Sequence, residues 1–165
     1  MKKSLQFVRF KKFNVLIQLL IFTFILLFIG EILELVFGMF FGNNNFSKLD
    51  FSDSSIEYVL FETVILSPLI ETFFIQFLLL EFLRVLFNGL SINYFLAVLI
   101  SGFIFGVLHH YNIPYMIALT ILGWIFGYIY VFYKKNKKIH PILAVLITHS
   151  LYNLIIVLKD YILVN

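Results

Sequence analysis

Five stretches of this chain are too apolar to stand in water. They run over about residues 13–40, 56–87, 92–109, 114–133 and 141–158. A bilayer leaves a chain few options, because every backbone N–H and C=O within it must find an internal partner. Stretches of about 20 residues satisfy that as helices, whereas membrane strands are about half as long. The composition agrees: 62% of residues are hydrophobic and 13% charged, with a mean hydropathy of +1.02. Soluble domains carry about 25% charged residues. The expected fold class is therefore all-α, a polytopic transmembrane bundle of about five spans. A division at about residue 55 separates an N-terminal helix and its loop (1–55) from a helical core (56–165).

The first span follows a basic start containing Lys2, Lys3, Arg9, Lys11 and Lys12. No small-x-small cleavage site follows it, and Glu31 and Glu34 continue the helical pattern, so a retained helix is expected rather than a signal peptide. Gly42 to Ser55 reads as a polar connecting loop, and Asn88-Gly89 as a break. Pro68 either kinks the second span or marks the start of a helix within it.

If the N-terminus is cytoplasmic, ten of the 12 Lys and Arg residues fall on the inner side, and only Lys48 and Lys159 lie outside. That asymmetry predicts an inward N-terminus and an outward C-terminus. The run from Lys134 to Lys138 is first a topology signal and second a contact for anionic lipid. A net charge of +3 needs no nucleic-acid partner, and the absence of cysteine excludes disulfides and thiolate metal sites.

Against this background four polar residues stand out. Glu71 lies in a run that is otherwise apolar, and a carboxylate at the centre of a span costs about 2.5–3.5 kcal/mol on insertion scales. His149 and Asn153 are four residues apart on one face of the fifth span. His109 ends the third. A carboxylate and an imidazole holding a water, opposite two hydrogen-bond donors, would make a site for peptide hydrolysis. The same carboxylate and two imidazoles could also ligate zinc. No H-E-x-x-H motif is present, and the ligands would come from three helices, so that reading ranks lower.

The residues Glu71-Thr72-x-x-x-Gln76, Phe105-x-x-x-His109 and His149-x-x-x-Asn153 occur in that order. In this the chain resembles the CAAX-protease and bacteriocin-processing (CPBP, or Abi) family of intramembrane proteases over about residues 56–158. The hallmarks of that family are E-E-x-x-x-R, F-x-x-x-H and H-x-x-x-N. The resemblance implies a metal-independent glutamate protease without a cofactor, in the cell membrane of a bacterium. Glu71 and His109 would activate water, and His149 and Asn153 would form the oxyanion hole. Thr72, Gln76 and Phe105 would support them. A peptide or membrane-associated protein would be the substrate, with the bilayer as surroundings.

Thr72 and Gln76 stand where the family carries a second Glu and an Arg, so an acid and a base are both replaced by neutral residues. This leaves an alternative, a non-catalytic bacteriocin self-immunity or scaffold protein that keeps the fold.

Overall fold

The computed structural model describes residue 10 and residues 12–41, 55–88 and 92–164. Five helical rods account for nearly all of them: α1 (Val15–Phe41), α2 (Ile56–Leu86), α3 (Asn93–Leu108), α4 (Ile113–Asn136) and α5 (Pro141–Val164). No strand occurs among the described residues. The expected loop at 42–55 lies outside them apart from Ser55. So do Gly89 and several of the cations counted for topology, Lys2, Lys3, Arg9, Lys11 and Lys48.

Four rods are long and apolar enough to cross a membrane. The exception is α3, whose 16 residues reach about 24 Å at 1.5 Å per residue, short of a hydrocarbon core of about 30 Å. Its C-terminal cap is His109, so the short helix delivers an imidazole at its own end.

Local sequence sets the ends of the rods. The Ser55 hydroxyl accepts from the Tyr58 N–H at the start of α2, and the Asn112 side chain accepts from the Tyr115 N–H at the start of α4. Lys137 stops α4 in a left-handed conformation (φ 55°), and Pro141 opens α5.

Pro68 does not break α2. The rod runs through it by alternating α and π registers, with π segments at Phe61–Leu66 and Thr72–Leu79. The Ser67 N–H bonds to the Glu62 carbonyl in the wider register. That carbonyl's neighbour, on Thr63, would look to position 68 for its donor, and proline has none.

The bundle is built around α4, which buries Leu122, Phe126, Ile129, Tyr130 and Tyr133 against its neighbours. It meets α3 most closely. The two helices carry Gly102-x-x-x-Gly106 and Gly123-x-x-x-Gly127, the small-residue spacing that lets membrane helices approach. A Cβ on Gly102 would overlap Trp124, and one on Gly106 would overlap Thr120. Trp124 fills that gap and donates from its indole to the Leu99 carbonyl at 2.9 Å.

Outward faces are apolar, as along α1, where Leu16, Leu20, Phe24 and Phe28 are exposed. Glu81 and Arg84, which read in the sequence as a surface pair, belong to a larger junction. Glu81 also accepts from Tyr130 at 3.0 Å and from Lys134, so one carboxylate ties α2 to α4.

Candidate active site

Three helices bring their polar residues to one place. Glu71 comes from α2 at the end of the short α-helical turn that follows Pro68. His109 comes from the cap of α3, and His149 and Asn153 from one face of α5. The Nε2 atom of His109 lies 3.6 Å from one carboxylate oxygen of Glu71, and the Nε2 atom of His149 lies 3.7 Å from the other. One carboxylate thus faces two imidazoles, one to each oxygen.

The His109 ring is oriented by its own helix. Its Nδ1 lies 2.7 Å from the Phe105 carbonyl. A carbonyl only accepts, so Nδ1 carries the proton and donates it. In a neutral imidazole this leaves the lone pair on Nε2, directed at Glu71.

The ring of Phe105 packs on the other side, 4.7 Å from the His109 ring centre and 6.1 Å from that of His149. Phe105 is buried, so it braces both imidazoles. His149 lies against Phe126 as well, with ring centres 4.4 Å apart and 30° between planes. Its side chain is 5% exposed, against 23% for Glu71 and 25% for His109.

These four residues line one cavity of about 220 Å³, roomy enough for several waters. Its other wall is apolar, formed by Ala118, Leu119, Leu122 and Ile156. Among the described residues no group of three His, Asp or Glu side chains is disposed to hold a metal ion.

Asn153 does a second thing. Its Nδ2 donates to the Thr63 carbonyl at 2.8 Å. That is the oxygen which Pro68 and the π register leave without a backbone donor. The side chain of α5 therefore completes the backbone of α2, and Nδ2 has one further proton to offer.

Thr72 and Gln76 behave differently. Both are wholly buried and neither lines the cavity. The Thr72 hydroxyl and both polar atoms of the Gln76 amide have no hydrogen-bond partner among the described residues. They lie in the π segment that begins just after Glu71, where Gln76 packs over Gly127 of α4.

Sequence reasoning passed over Ser67, Tyr115 and Tyr152, which also line the cavity. Two of them had a signal. Ser67 precedes Glu71 by four residues and Tyr152 follows His149 by three, both spacings of a shared helical face.

A search with family models matches residues 54–155 to the type II CAAX prenyl endopeptidase Rce1-like family. The chain belongs to the Rce1-like family. The match takes in Glu71, His109, His149 and Asn153 and begins just ahead of α2, leaving α1 outside. Searches of the curated proteins and of the solved structures return no match. The chain is thus a multi-pass membrane protein of a CAAX-type protease family, and the expected all-helical bundle is the one observed.

Proposed function

We propose that this member of the Rce1-like family is an active intramembrane endopeptidase that hydrolyses a peptide bond in a membrane-associated substrate. The observation that carries the reading is the single carboxylate of Glu71 facing the Nε2 atoms of two imidazoles inside a partly enclosed cavity. Glu71 and the His109 lone pair hold a water and take its proton as the oxygen attacks the carbonyl carbon. The developing oxyanion accepts hydrogen bonds from His149 Nε2–H and from the second Asn153 N–H. Glu71 and His109 then return the proton to the leaving amine, so the carboxylate is regenerated. Thr72, Gln76 and Phe105 act indirectly, by holding α2 and the rings in place. The core at 56–165 carries the chemistry, and of the N-terminal segment (1–55) the helix adds a wall through Gly30, Glu31 and Glu34. The charge asymmetry supports a cytoplasmic N-terminus, and the resemblance to the CPBP proteases suggests the cell membrane of a bacterium.

The test is cleavage of a fluorogenic prenylated CAAX peptide by purified protein in detergent, comparing wild type with Glu71→Gln, His109→Ala and His149→Ala. Each variant should elute as the wild type does and lose cleavage. Wild-type turnover by Glu71→Gln would overturn the mechanism.

A second reading, a non-catalytic bacteriocin self-immunity or scaffold protein, draws on the neutral pair Thr72 and Gln76. It expects Glu71→Gln to leave protection of cells against a bacteriocin intact, whereas an immunity that depends on cleavage would be lost.

A further inference from the structure

At the opposite end of α4 from the His109 site, a groove of about 590 Å³ opens where α4 turns into α5. Its rim carries Lys134, Lys137 and His140, and its walls include Phe77, Ile139 and Pro141. Charge sits on one part of the groove and hydrocarbon on another.

Three features favour an anion there. Lys137 takes a left-handed conformation to end α4, and its N–H donates to the Tyr133 carbonyl at 2.8 Å. Its ammonium makes no ion pair among the described residues. Lys134 is already bonded to Glu81, so it steadies the rim rather than adding a full free charge.

Next, α5 begins here. Its first backbone bond runs from the Ala144 N–H to the His140 carbonyl. The amides of Ile142 and Leu143 therefore precede the helical ladder, at the positive end of a 24-residue dipole. Independently, Tyr133 forms part of the wall while wholly buried, and its hydroxyl has no partner among the described residues. A buried phenol is ordinarily paired, and an incoming oxyanion would accept a hydrogen bond from it.

We propose that this groove binds the phosphodiester headgroup of an anionic phospholipid, with the first acyl carbons against Phe77, Ile139 and Pro141. A lipid fits better than a soluble anion because the groove couples its cations to an apolar wall at the end of a membrane-spanning helix. That end also carries the densest cationic run of the described residues, Lys134, Lys135, Lys137 and Lys138. Charges of this kind face the leaflet where anionic lipid is concentrated.

The experiment is native mass spectrometry of the full chain released from detergent, titrated with phosphatidylglycerol or phosphatidylcholine. Wild type should retain one phosphatidylglycerol in preference to phosphatidylcholine. Each basic residue near an anionic surface contributes about 1 kcal/mol, so the exposed double substitution Lys137→Gln/His140→Gln should weaken phosphatidylglycerol about fivefold or more. Tyr133→Phe should weaken it separately. Lys135→Gln, which removes an equal charge from a residue lying over the Tyr94 ring rather than on the groove, should leave binding unchanged.

Equal loss with Lys135→Gln would reduce the effect to unspecific charge and overturn the proposal. Equal retention of both lipids would do the same. Displacement of phosphatidylglycerol by millimolar inorganic phosphate would reassign the groove to a soluble anion. Cleavage activity is not an arm of the test, so failure here leaves the proposed protease reading untouched.

Discussion

Cutting the Asn153 carboxamide back to a methyl group should destabilise the bundle through a backbone oxygen 90 residues away. The Thr63 carbonyl receives 2.8 Å from Asn153 Nδ2 what its own helix withholds. The Ser67 N–H is turned to Glu62, and position 68 is proline. Leaving a fully buried acceptor unpaired costs about 1–3 kcal/mol, an upper bound for the half-buried Thr63 carbonyl beside the cavity, while hydrogen bonds between membrane helices average about 0.6 and reach about 1.7. Asn153→Ala should therefore cost about 1–2 kcal/mol.

Restoring an N–H with Pro68→Ala should remove most of that cost. The chain can keep the π register, in which the new N–H at position 68 donates to the Thr63 carbonyl, or return to the α register, in which Ser67 does. Thr63 is satisfied either way. A double-mutant cycle, read as reversible unfolding in mixed micelles titrated with dodecyl sulfate, should give a coupling of about 1 kcal/mol between positions 68 and 153. Costs of Asn153→Ala that agree within about 0.3 kcal/mol in the two backgrounds would refute the reasoning. Activity adds a second readout. If the amide also donates to the oxyanion, Pro68→Ala/Asn153→Ala recovers stability without recovering cleavage.

Three further outcomes follow from the geometry. Glu71→Gln keeps the volume and loses the base, so single-turnover cleavage should fall by about 10²–10⁴ at unchanged detergent stability. Thr72→Glu places an unpaired carboxylate at a wholly buried position and should destabilise by about 3–5 kcal/mol, most of it recovered in Thr72→Glu/Gln76→Arg, as unfolding midpoints would reveal. Gly106→Val drives a side chain into Thr120, so it should cost about 1–3 kcal/mol. It should also lower kcat by displacing His109 three residues on, measured by thermal scanning and cleavage together.

The helices were legible because a bilayer makes apolar length nearly equivalent to structure. Four of the five expected stretches are rods able to span it, bounded within about three residues except that α5 runs on to Val164 rather than ending near 158, and α3 is the short exception. The candidate site residues were legible for a related reason, since Glu71, His109, His149 and Asn153 are polar where polarity is costly. Less visible was anything set by register or by distant partners. Pro68 announced itself as a kink or as the start of a helix, yet the π turn ahead of it depends on an amide supplied from α5. Glu81 looked like half of a local pair with Arg84, and nothing nearby in the sequence says that Tyr130 and Lys134 also reach it. Gly102 and Gly106 carry the small-residue spacing of a close helix contact, but nothing in it names Trp124 and Thr120 as the side chains pressed against them.

The far end of the cavity is held by Lys159 on α5, which grips Glu31 and Glu34 of α1 at 2.6 and 3.3 Å. Gly30 and both glutamates form wall there, although the family match begins only at residue 54. The proposed reacting groups and this part of their enclosure thus sit on stretches of chain that can drift apart in evolution. A new first helix could refit the vestibule while the carboxylate and its two flanking rings stay as they are.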